Sequence, residues 1–184
     1  TQAQAPTAQP AAVTPRPTST PVPTYTPTRP AATAPAPTPT ASVRIAAEEG
    51  AQAPNFQLAN IAGGQTALGD LRGQVVLLSF WTTWCGYCKR ERPTLQTAYE
   101  RYGAQEFVVL AVDIAEDLNS VKAYVEEMGL TFPHLLDETG TVARGYNVSG
   151  IPASFFITRE GIVHATHLGP LSESAIAEYL KDIL

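Results

Sequence analysis

Apolar positions along this chain follow two patterns. Val75–Phe80 and Phe107–Val112 are nearly unbroken apolar runs of strand length, as expected of central strands covered on both faces. Between them, a segment from about Cys85 to Tyr102 predicts a helix that stops at Gly103, with Pro93 inside it as a kink. A second helix is predicted over Leu118–Met128, where Val121, Tyr124, Val125 and Met128 share a face and Gly129 ends it. Ser154–Thr158 and Ile162–His167 flank Arg159-Glu160-Gly161 and predict a hairpin. Ile176, Tyr179, Leu180, Ile183 and Leu184 mark a last amphipathic helix with Ser172 as its N-cap. Strand, helix, strand, hairpin and helix in this order predict an α/β sandwich: a mixed central sheet flanked by helices.

The pattern is missing from the first 43 residues, and composition explains why. Residues 1–40 hold 11 of the 16 prolines, with 11 threonines and nine alanines, and neither an acid nor a glycine. Such a segment buries too little surface to offset its chain entropy. Residues 1–43 therefore read as a disordered or extended Pro/Thr-rich stalk, able to reach on the order of 100 Å as polyproline II, and 44–184 as one domain. The chain begins at Thr1 and has no apolar run near the length of a membrane span. This leads us to expect a processed form whose export signal or anchor lay upstream. The stalk would then set the domain off from a membrane, or dock it in a membrane complex. A net charge of −5, with 12 Lys and Arg and no basic stripe, argues against nucleic acid as a partner.

The candidate chemistry lies where the first apolar run meets the first helix. Trp81-Thr82-Thr83-Trp84-Cys85-Gly86-Tyr87-Cys88-Lys89 contains the only two cysteines of the chain. The thiolate is the nucleophile of disulfide exchange, and a helix N-terminus stabilises negative charge. A second cysteine one turn on can close a small disulfide ring. This arrangement reads as a thiol–disulfide oxidoreductase whose redox group is its own Cys85–Cys88 pair, without a cofactor. A structural disulfide and half of a metal site are the competing readings. A zinc site needs four ligands, and no third cysteine exists. His164 and His167, three apart on a predicted strand, point to opposite faces. Haem attachment needs a histidine after Cys88, where Lys89 stands. No metal is expected.

The chain also resembles the thioredoxin superfamily, and within it the extracytoplasmic TlpA/ResA-like branch. The resemblance rests on Trp84-Cys85-Gly86-Tyr87-Cys88 with Gly150-Ile151-Pro152 downstream, and on Phe56 and Leu58 before Leu68-Gly69-Asp70-Leu71-Arg72-Gly73. Phe80-Trp81, Lys89-Arg90-Glu91-Arg92-Pro93, Phe132–Asp137 and Tyr146–Ile157 extend it over about residues 50–184. It implies a thioredoxin-like fold and an exported, often membrane-tethered protein. It also implies reduction of disulfides in exported proteins, as in cytochrome c maturation; with only two cysteines in the chain, recharging is expected from a separate reductant, a membrane thiol carrier.

On that resemblance Cys85 is the attacking thiolate and Cys88 the resolving thiol. Pro152 alone would be an ordinary turn proline; the resemblance implies a cis Ile151–Pro152 peptide beside the cysteines, with the Ile151 backbone free to pair with an extended substrate. Trp84, Gly86, Tyr87, Ile151 and Pro152 are accordingly the expected substrate-binding residues. Glu91 alone would be a solvated helix residue, whereas the family pattern places there an acid that shuttles protons. Trp81 and Trp84 are expected to pack the site and shield the sulfurs, or to be plain core aromatics. Lys89, Arg90 and Arg92 stand beside the cysteines, where they tune the site.

Two departures bear on function. Ser79 stands where thioredoxins proper carry a buried aspartate. Tyr87 stands where the branch usually has proline; a Gly-Tyr pair also occurs in more oxidising disulfide isomerases. A reductase is therefore expected ahead of an isomerase or oxidant. A non-catalytic scaffold docked through the tail is another class. Last comes a peroxidase, for which Thr82 stands three before Cys85 but no proline precedes it in the strand.

Overall fold

The computed structural model describes residues 44–184, so the expected stalk at 1–43 lies outside the described residues. The first two strands, β1 (Gln57–Asn60) and β2 (Gln65–Ala67), pair as an antiparallel hairpin. β3 (Val75–Trp81) runs through the cysteine loop into α1 (Gly86–Tyr102). Then come β4 (Phe107–Ile114), α2 (Leu118–Met128), β5 (His134–Asp137) and the one-turn α3 (Thr141–Gly145). The hairpin β6 (Ala153–Ile157) and β7 (Val163–Leu168) precedes α4 (Glu173–Leu180).

The strands form one sheet in the order β2-β1-β5-β4-β3-β6-β7. β3, β4 and β5 are parallel, and every other pairing is antiparallel, which makes the sheet mixed as expected. All seven residues of β3 are buried because the sheet is covered on both sides. On one face Val75, Leu77 and Trp81 pack with Leu95 and Ala98 of α1, Val121 of α2 and Ile176 of α4. On the other, Val76, Leu78 and Phe80 pack with Phe155, Ala143 and Tyr146.

Two turns show why glycine was needed. Gly129 has φ +63° and its N–H reaches the Val125 and Glu126 carbonyls, closing α2. At the β6–β7 hairpin Gly161 has φ +79°, and a Cβ there would overlap the Arg72 guanidinium.

The structure corrects several expectations. Met128 is 40% exposed instead of joining Val121 and Val125 in the core, because it is the last residue before the turn at Gly129. Ile183 and Leu184 lie beyond the end of α4 and still pack against the core. Among the described residues no helix is long and apolar enough to cross a membrane.

Candidate active site

Cys85 is the N-cap of α1, so its sulfur takes the place a capping oxygen usually fills. It accepts from the Cys88 N–H at 3.1 Å. The two cysteines are joined as a disulfide with their Cα atoms 5.2 Å apart. Cys85 retains 7% exposure and Cys88 none, so only the first sulfur meets the surface. The preceding loop is tied down from outside: the Thr83 N–H and hydroxyl donate to Glu116 at 2.6 and 2.5 Å.

Around this sulfur the structure gathers the residues expected to bind substrate. The Ile151–Pro152 peptide is cis, and the Ile151 carbonyl oxygen lies 3.9 Å from Cys85 Sγ. Gly86 opens the helix at the surface, and Tyr87 stands 59% exposed beneath the Arg90 guanidinium, which is 4.5 Å from its ring centre. A groove of about 320 Å³ opens between Tyr87, Ile151, Pro152 and Leu168. Trp84 is 72% exposed, so it does not belong to the core; Trp81 is the buried one. The difference follows from position, since Trp81 ends β3 inside the sheet and Trp84 lies in the loop beyond it.

Behind Cys88 the helix buries charge. Glu91 and Arg92 are both inaccessible and form an ion pair at 2.9 Å. The other oxygen of Glu91 accepts from the Leu171 N–H at 2.8 Å. Burial pushes the Glu91 carboxyl above its ordinary range, while Arg92, the Leu171 N–H and His167 pull it back. Arg92 also donates to Ser79 Oγ at 2.9 Å and to the Cys88 carbonyl at 3.4 Å, and its guanidinium lies 4.8 Å from the Trp81 ring centre. Ser79, the departure noted in the sequence, is thus an acceptor for Arg92.

Ser79 belongs to a row that crosses the sheet at one register. His134 of β5 pairs with Ala111 of β4, Ala111 with Ser79 of β3, Ser79 with Ser154 of β6, and Ser154 with His167 of β7. All five side chains face α1 and α4. His134 is buried, and desolvation, then Arg92, pushes its imidazole down to about 3; it is neutral and its Nδ1 lies 2.8 Å from the Phe132 carbonyl.

Sequence reasoning missed two residues of this region. Arg92 was grouped with Lys89 and Arg90 as a tuning charge, yet it lies four residues after Cys88 and three before Leu95, in the inward stripe of α1. The helical period therefore contained the signal. Asp113 is wholly buried near the end of β4, beside Trp81 in register, and the predicted strand stopped one residue short of it. Burial, reinforced by Glu116, pushes its carboxyl up to about 8. Among the described residues no cluster of histidines, cysteines and acids could hold a metal ion.

Comparison with known proteins agrees with this geometry. Residues 50–166 match the model of the AhpC/TSA family. The chain belongs to that family. It is also 36% identical over 140 residues to the thiol-disulfide oxidoreductase ResA of Geobacillus kaustophilus, covering 76% of this chain and 80% of the relative. Identity to ResA of Bacillus subtilis is 37% over 133 residues, or 72% and 74% of the two chains. Among solved structures, a putative thiol:disulfide interchange protein DsbE from Chlorobium tepidum superposes with a TM-score of 0.70 at 30% identity. That match covers 74% of this chain and 97% of the other. This AhpC/TSA protein has the thioredoxin-like fold and is a thiol–disulfide oxidoreductase whose redox group is its own cysteine pair.

Proposed function

We propose that the protein reduces disulfides of exported proteins outside the cytoplasm. In this reading a segment upstream tethers it to a membrane, residues 1–43 serve as stalk, and a membrane thiol carrier recharges it. The observation that supports this most is the asymmetry of the pair: Cys85 caps α1 at the surface beside Ile151, and Cys88 is sealed behind it next to a buried acid. The Cys85 thiolate attacks one sulfur of the substrate disulfide, forming a mixed disulfide and expelling a thiolate. Cys88 then gives its proton to Glu91 and attacks Cys85 Sγ. The substrate leaves as its second thiolate, and the pair is oxidised by two electrons. Trp84, Gly86, Tyr87, Ile151 and Pro152 form the docking surface, on which the Ile151 backbone pairs with an extended substrate.

The direction of electron flow is tested by equilibrating the pair against thiol buffers. A midpoint near about −270 mV, as in thioredoxin, supports a reductase; about −180 mV or above favours an isomerase or oxidant, with Tyr87 as the cause. Cys85→Ala should abolish turnover and Cys88→Ala should accumulate mixed disulfides. Wild-type turnover in either overturns the assigned roles, and peroxide consumption by the wild type would move the reading to a peroxidase.

A further inference from the structure

Two acids, Glu91 and Asp113, are buried on the α1 side of the sheet, and among the described residues Arg92 is the one fully buried cation. Their surroundings differ. Each oxygen of Glu91 has a donor, Arg92 Nη2 or the Leu171 N–H. No cation or side-chain donor pairs with Asp113; the one hydrogen-bonding group within its reach is Glu116, another acid, and the buried polar atoms Arg92 Nη1, Trp81 Nε1 and the Tyr124 hydroxyl are left unpaired. An ionised carboxylate without donors is costly to bury, a neutral carboxyl much less so. A single guanidinium, already committed to Glu91, does not neutralise two carboxylates.

We infer that Asp113 is a positioning residue of the redox centre, a second buried acid kept uncharged so that Arg92 serves Glu91 alone while Glu91 exchanges the proton of Cys88. This rests on the role proposed for Glu91. Asp113 takes no part in bond exchange: Cys88 still passes its proton to Glu91, and the Cys85–substrate bond breaks as the Cys85–Cys88 bond forms. Arg92 of α1 and Glu116 after β4 act on Asp113 directly; Glu91 of α1, Tyr124 of α2 and His134 of β5 share the same guanidinium, and Lys89 of α1 lies over the Tyr124 ring. Burial, with Glu116, pushes Asp113 up to about 8. Above that pH an additional anion enters the pocket in which the Cys88 thiolate must form, and resolution slows.

The test is a single turnover of the full-length reduced chain with a synthetic peptide carrying one disulfide. The lifetime of the mixed disulfide is read by acid quench and mass spectrometry from pH 6 to 9.5. The rate ratio of Asp113→Asn to wild type should grow about fivefold between pH 7 and 9.5, somewhat less than the tenfold that one pKa unit would give. A ratio flat with pH overturns the inference, and so does an Asp113→Asn profile as slow at every pH as that of Glu91→Gln. Glu91→Gln reports separately: a profile identical to wild type shows that the proton carrier is misassigned, whatever Asp113→Asn does. If the variant does not fold, the ¹³C carboxyl shift of Asp113 in the oxidised wild type decides. A midpoint above 7 supports the inference, and one in the ordinary carboxylate range overturns it.

Discussion

The two halves of α1 rest on the same face of the same sheet and meet it with opposite chemistry. The first two turns bury Cys88, Glu91 and Arg92; the next two bury Leu95 and Ala98. A fully buried leucine contributes about 1.5–3 kcal/mol from area alone. A buried ion pair does not work that way, because desolvating both charges consumes much of their attraction, and an apolar pair of the same volume is often as stable. The apolar half therefore secures the helix to the sheet. The charged half supplies an acid and a cation beside Cys88, at little net gain in stability.

The largest effect that could break this comparison is removal of one charge. Arg92→Ala should destabilise the domain by about 3–5 kcal/mol in urea denaturation, because the buried Glu91 loses its charged partner. Most of that loss should return in the double variant Arg92→Leu with Glu91→Gln. A single-variant loss below about 1 kcal/mol would show that the first turns are no different from the rest. Leu95→Ala comes next, with a loss of about 2–4 kcal/mol from the cavity it leaves. Its pH–rate profile should keep the wild-type shape, whereas a changed shape would mean that the two halves are coupled.

A further comparison concerns stability against pH. The Asp113 carboxyl is raised on folding from an ordinary value near 3.8 to about 8. Its contribution is therefore greatest below about pH 4 and is lost as the pH rises toward 8. Asp113→Asn should lie close to wild type at pH 4 and be the more stable of the two at pH 9, as read by urea denaturation at both pH values. The opposite order would mean that Asp113 is ionised and paired.

What the sequence disclosed followed from the length and regularity of each element. β3, β4, α1 and α2 were legible because long runs and helical periods leave few alternatives. β1 and β2 have four and three residues with alternating or partial burial, too short for a period to register. β5 has four buried residues just after Pro133, and α3 is a single turn. At the site, Cys85 and Cys88 stood out by residue type and spacing, and Pro152 and Glu91 needed the family pattern. Asp113 was hidden by the opposite prejudice: an acid ending an apolar run reads as the end of a strand, and only the sheet shows that β4 continues past it to Ile114.

The row from His134 to His167 also bears on how the chain assembles. Strand side chains alternate, so sliding β6 by one residue against β3 would turn Ser154 away and bring Ala153 or Phe155 to face the helix. A phenyl ring would then crowd the Arg92 guanidinium where Ser154 now flanks Ser79, and the next polar partner in β7 would turn away with it. A mispaired sheet would thus be rejected at the place where the redox chemistry is housed. The polar row beside the redox centre doubles as a proofreading device for strand alignment.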